Sequence, residues 1–207
     1  MEKLMHASLV GDVSALTGLL PYDPLFEMMV HPPVTQTPLH VASLRGHTAF
    51  ASEMLRLKPE LCRTQNSDGH YPIHLASSWG RVDIVRKMVE ADKSLARPCD
   101  GNGCTALHAA AANNQVEVLS ALLKEETGLA KEVTGQGETA LHVAVKNHMI
   151  GAATHLIEHC KDIIQQCLTG PSDTEIIRSL SHAGCKSGPR FTRPASKLII
   201  TTTPLGY

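Results

Sequence analysis

The chain has 207 residues, of which 43% are hydrophobic and 19% charged, enough apolar material to bury a core and too much for a disordered chain. Aromatic residues make up only 3%, few for a β-sandwich and compatible with helices packed through Ala, Leu and Val. A formal net charge of −1 provides no overall attraction to nucleic acid or anionic lipid.

Read from the N-terminus, "MEKLMHASLVGD" has no long apolar region. No run of 18 apolar residues occurs anywhere, so neither a signal peptide nor a membrane span is expected, and the expected location is cytoplasmic. In a reducing compartment the scattered cysteines Cys62, Cys99, Cys104, Cys160, Cys167 and Cys185 read as free thiols. Neither close pair, Cys99 with Cys104 or Cys160 with Cys167, has the two-residue gap of a zinc knuckle, so no metal site and no cofactor are expected.

Four boxes then follow in strict register: "TPLH" from Thr37, "YPIH" from Tyr71 and "TALH" from Thr105 and Thr139, each 34 residues after the last. A histidine recurring once per period, at His40, His74, His108 and His142, is more economically framework than four active sites. The box is a good helix start: Thr is an N-cap residue, Pro suits the first helical position, and the aliphatic residue after it buries. The imidazole can use one ring nitrogen on the threonine hydroxyl and the other on a neighbouring loop. Tyr71 lacks that cap, so the helix after it should start less firmly.

Each unit reads as a turn, a short helix, a short loop, a second helix and a return loop. In the third unit "TALHAAAANN" is the first helix, its alanines small enough for close stacking. "QVEVLSALLKE" is the second, with Val118, Leu119, Leu122 and Leu123 on one face. "TAFASEMLRLK", "RVDIVRKMVEA" and "IGAATHLIEHC" are its parallels, and the turn signals "NSDGH", "DGNGC" and "GQGE" precede the later boxes. The opening "LMHASLVGDVSALTGLL" fits a shortened first unit without the box, which makes about five units.

This signature resembles the ankyrin repeat over residues 1–167. The resemblance implies an all-α ankyrin-repeat solenoid that binds other proteins through a concave groove and performs no chemistry. Ankyrin arrays bind through the last two residues of each first helix and the residue before each box. Those positions here are Leu9 and Val10; Gln36, Leu44 and Arg45; His70, Ser78 and Trp79; Cys104, Ala112 and Asn113; and Glu138, Lys146 and Asn147. This groove is apolar in its first half, with an arginine and the single tryptophan, and small and polar in its second. Trp79 either faces a partner or packs on its own solenoid. The long return loops "LKPELCRTQNSDG" and "ADKSLARPCDGNG" look like those of plant ankyrin-repeat proteins, which act in defence and salt-stress signalling and usually carry a C-terminal membrane domain. After Leu168 there is no apolar span, so membrane association is expected only through a partner or a different C-terminus.

"HLIEH", His155 to His159, matches the H-x-x-E-H zinc-protease pattern, with Glu158 as base. Against that reading, Leu156 and Ile157 fill the slots of Leu122 and Leu123, which leaves the two histidines exposed on the polar side of a stacking helix. No phosphate loop, nucleophile elbow or dinucleotide fingerprint is present, so neither an enzyme nor a small-molecule substrate is indicated, and the groove has no basic stripe for nucleic acid. Residues 168–207 form a compositionally distinct, basic tail. Within it "SDTEIIRSLSHAG" predicts a capping helix over 172–184, and the remainder reads as flexible.

Overall fold

The computed structural model describes residues 2–19 and 36–159, together with two short strands at 190–192 and 199–201. Its ten described α-helices form five antiparallel pairs: α1 (Glu2–Val10) with α2 (Val13–Leu19), α3 (Pro38–Arg45) with α4 (Thr48–Leu57), α5 (Pro72–Ser78) with α6 (Val82–Ala91), α7 (Ala106–Ala112) with α8 (Val116–Glu125), and α9 (Ala140–Lys146) with α10 (Ile150–His159). First helices stack on first helices and second on second, so each pair packs mainly on its two neighbours. That is the contact pattern of an all-α solenoid.

Sequence chemistry sets this spacing. Ala7, Ala42, Ala76, Ala110 and Ala144 recur at one position of the first helices, and all are buried. A methyl is the largest group that lets helix backbones approach so closely, and a larger side chain would force them apart. Leu39, Ile73, Leu107 and Leu141, the aliphatic residue of each box, are buried beside them, as are Val118, Leu119, Leu122 and Leu123 of α8 and Leu156 and Ile157 of α10. The largest fully buried side chains include Phe50, Met54 and Met88 of the second helices.

The long return loops contain the 3₁₀ turns Pro59–Arg63, Lys93–Ala96 and Thr127–Lys131. Leu61, Leu95 and Leu129 anchor these turns in the core. On their outer side Arg63 bonds Asp92 at 2.5 Å, and Arg97 bonds both Glu126 and Glu132, so each loop is tied to the next.

Two expectations for the tail meet the structure differently. The capping helix over 172–184 and the boundary at 167/168 lie outside the described residues. The stretch read as flexible contains an antiparallel ladder of β1 (Arg190–Thr192) and β2 (Ile199–Thr201), pairing Arg190 with Thr201, Phe191 with Ile200 and Thr192 with Ile199. Phe, Ile and Thr are strand formers, a preference that a search for helical period overlooks.

Candidate functional site: the stitched inner face

The threonine boxes begin with a cap built between Thr and His. The Thr37 backbone N–H donates to His40 Nδ1 at 3.2 Å, the Thr37 hydroxyl lies 2.8 Å from the same nitrogen, and the His40 N–H reaches back to Thr37 Oγ1 at 3.4 Å. Thr139 with His142 repeats the arrangement, and Thr105 with His108 repeats its two bonds to Nδ1. Histidine thus occupies the place that Glu or Gln takes in the usual capping box. Because Nδ1 accepts a backbone N–H, the ring proton sits on Nε2. This proton is donated to the carbonyl of the residue before the next box: His40 to His70 at 2.9 Å, His74 to Cys104 at 2.8 Å and His108 to Glu138 at 3.1 Å. The framework reading of the histidines therefore describes their geometry. Burial, the largest influence, pushes His40 down to about 4 and lowers His74 and His108 as well, which keeps the rings neutral.

Tyr71 gives no side-chain cap: a phenol oxygen lies at the far end of a rigid ring, out of reach of the start of its own helix. The other half of the box survives, with the Tyr71 N–H donating to His74 Nδ1 at 3.3 Å. Helix α5 accordingly starts at Pro72, in register with Pro38.

The carbonyls that receive the histidines belong to hairpin-like fingers. Asn66 N–H donates to the His70 carbonyl at 2.9 Å, Asp100 to Cys104 at 2.8 Å and Thr134 to Glu138 at 2.9 Å. The side chains of the same residues close the turns from inside. Asn66 Oδ1 accepts the N–H groups of Asp68 and His70, Asp100 Oδ1 those of Asn102 and Cys104, and Thr134 Oγ1 those of Gln136 and Glu138. Three residue types thus make the same local turn. Between the first and second of these fingers, His70 Nε2 lies 3.5 Å from Asp100 Oδ2.

The opposite edge, where first helices turn into second helices, has its own stitch. His47 Nε2 donates to the Leu9 carbonyl at 2.9 Å, Arg81 Nε to that of Leu44 at 3.2 Å and Gln115 Nε2 to that of Ser78 at 3.3 Å. Each donor lies across a left-handed glycine of the preceding unit. A Cβ on Gly46 would sit 2.9 Å from Arg81 Cδ, and one on Gly80 2.3 Å from Gln115 Oε1. At the last joint the roles change: Asn114 occupies the left-handed position (φ 57°) and its Oδ1 accepts the Ala152 N–H at 2.8 Å. Sequence reading missed this edge. The signal was available, since His47, Arg81 and Gln115 also recur at 34 residues, but their chemistry differs and no box marks them.

The predicted groove residues fall on these two edges. Leu9 and Val10 end α1, Leu44 and Arg45 end α3, and Ser78 with Trp79 close α5; Ala112 with Asn113 and Lys146 with Asn147 do so for α7 and α9. His70, Cys104 and Glu138 end the fingers, Gln36 directly precedes the first box, and all four are half-buried. Five large hydrophobic residues are exposed among the described residues, and three of them are groove positions: Leu9 at 45%, Val10 at 62% and Trp79 at 59%. Trp79 therefore does not pack on its own solenoid. In the other half, Lys146 Nζ bonds Glu138 Oε1 at 2.8 Å, joining a helix end to a finger, and Asn113 bonds the Ala109 carbonyl.

His155 departs from expectation. It is half-buried rather than exposed, with Nε2 2.9 Å from Ser120 Oγ of α8, so this ring links two stacked helices. Glu158 is exposed, and the His159 side chain lies outside the described residues. Among the described residues no group of three or more His, Cys, Asp or Glu side chains could hold a metal ion. Burial raises the Cys62 thiol to about 12; burial and nearby carboxylates raise Cys99 and Cys104, which holds these thiols in their unreactive protonated form. No helix among the described residues is long and apolar enough to cross a membrane.

Five stacked helix pairs stitched through a histidine box define a helical-repeat solenoid. The family model for ankyrin repeats in three copies matches residues 4–98 and 92–167, and the chain belongs to the ankyrin-repeat family. No curated protein matches the chain. Ankyrin repeats generally mediate binding to other proteins, and the family is generally non-enzymatic.

Proposed function

We propose that this protein is a binding scaffold or adaptor of intracellular signalling that performs no chemistry and engages a protein partner through the inner face of its array. The observation that carries this reading is the exposure of Leu9 and Val10 at the end of the first helix of unit one and of Trp79 at the end of that of unit three. An indole left in water beside a rigid scaffold offers a large apolar area at small entropic cost, the usual character of an interface anchor. A role in defence or stress signalling is the finer reading, and what favours it is the resemblance of the long return loops to those of plant ankyrin-repeat proteins. In this reading the protein is cytoplasmic, and contact with a membrane runs through a partner.

Affinity capture beside a Trp79→Ala, Arg45→Ala variant identifies the partner as the protein lost from the variant alone. Titration of that partner should then show Trp79→Ala weakening binding by about 2 kcal/mol or more with the circular dichroism unchanged. Lys146→Ala should weaken it little, because that ammonium is already paired with Glu138. Unfolding of the array by Trp79→Ala, or a larger loss from Lys146→Ala, contradicts the assignment.

A further inference from the structure

Two arginines neighbour one turn in the N-terminal half of the inner face. Arg81 lies over Gly46, its Cζ 3.1 Å from where a Cβ would stand, and Gly46 follows Arg45 directly in the chain. Arg81 uses Nε on the Leu44 carbonyl, and its terminal nitrogens have no hydrogen-bond partner among the described residues. Arg45 is exposed, and neither arginine pairs with a carboxylate among the described residues. By contrast, Arg56, Arg63 and Arg97 all hold carboxylates. Among the described residues no carboxylate neutralises either cation, and Arg45 stands at the repeat position that Val10 holds on one side and Trp79 on the other.

From this juxtaposition we infer that the occupant of the face is an extended acidic peptide segment of a partner protein, presenting a carboxylate to Arg45 and Arg81 and apolar side chains to Val10 and Trp79. The inference deepens the protein-binding reading and rests on it. The spacing follows from the fold. Val10, Arg45 and Trp79 occupy one repeat position in consecutive units, and stacked helices lie about 8–10 Å apart. A chain in the extended polyproline II form turns every third side chain to the same face and advances ~3.1 Å per residue, so about three residues span one unit. The segment therefore reads apolar, two spacers, Asp or Glu, two spacers, apolar. A planar guanidinium suits a carboxylate, and cations on two neighbouring units favour an anion over a neutral acceptor.

Position 81 permits a clean test, because Gln115 makes the same inter-unit bond one unit later without a charge. Arg81→Gln thus removes the cation and retains a donor to the Leu44 carbonyl, which a thermal melt verifies. A phage-displayed library of random peptides, on the order of 12 residues to span three units, is panned on the full chain. The enriched sequences should carry Asp or Glu with an apolar residue three positions to each side. A synthetic peptide from that set should bind the Arg45→Gln, Arg81→Gln variant at least roughly tenfold more weakly, with an affinity that falls as salt is raised. An enriched set without excess acid, anchors repeating every seven residues as on a helix, a library yielding nothing above background, or equal binding to the double variant overturns the proposal. If the double variant binds equally and Trp79→Ala loses the peptide, acidic recognition alone fails. If Trp79→Ala also binds like wild type, the protein-binding reading of this face falls with it.

Discussion

Ser43 and Ser77 occupy the same position of α3 and α5, both fully buried, and neither hydroxyl has a hydrogen-bond partner among the described residues. A buried hydroxyl without a partner costs stability, and serine is a poorer helix former than alanine. The next unit shows the alternative, since Ala111 fills the equivalent place with no exposure. Ser77→Ala should therefore raise stability by about 0.5–1 kcal/mol, read as a higher midpoint in thermal unfolding. A lower midpoint would mean that the hydroxyl contributes an interaction after all. Other single residues were legible in the sequence because their chemistry repeats along with their position. His40, His74 and His108 were assigned as framework, down to the use of both ring nitrogens, because a Thr or Tyr three residues earlier stood at a fixed spacing. His155 was misjudged because its partner, Ser120, lies 35 residues away on another helix, and no local pattern announces such a contact.

At the scale of elements, the second helices declared themselves through aliphatic residues at helical spacing, and the first helices through their boxes. Helix ends were harder to foresee, because they depend on backbone angle as well as residue type. Gly11, Gly46 and Gly80 take the left-handed conformation after α1, α3 and α5, but Asn114 and His148 take it after α7 and α9. Asn114 has a bond to Ala152 to offset the strain. His148 is exposed with φ 59°, and a side chain there crowds its own carbonyl. His148→Gly should consequently stabilise the fifth unit by about 0.5–1 kcal/mol, the relief of strain exceeding the greater freedom of glycine in the unfolded chain. Differential scanning calorimetry of the two proteins decides it; a variant that melts lower contradicts the strain argument.

For the whole molecule, the histidines act together. His40, His74 and His108 are held neutral by burial, and Nδ1 of each is occupied as an acceptor, so their protonation cannot occur without breaking a cap. The folded state holds His40 at about 4 and depresses His74 and His108, while the unfolded chain titrates near the ordinary 6.5. The unfolded state therefore binds more protons below about pH 6.5, and stability, fully present above that value, declines as the pH falls toward 4. His40 alone accounts for a loss of about 2 kcal/mol by pH 5. Most carboxylates remain ionised there, so a fall in thermal midpoint between pH 7.5 and 5 reports on the histidines. A flat profile across that window would show that they are not buried as neutral rings.

The stitches of both edges end on main-chain carbonyls: those of His70, Cys104 and Glu138 at the fingers, and those of Leu9, Leu44 and Ser78 at the turns. A carbonyl is present whatever side chain its residue carries, so half of every joint lies beyond the reach of substitution. The other half is permissive at the turns, where imidazole, guanidinium and carboxamide serve equally as donors. Geometry and surface chemistry are thereby uncoupled: the charge facing a partner can be rewritten at positions 47, 81 and 115 while the interval between units stays the same. An array built this way can change what it recognises without relearning how to fold.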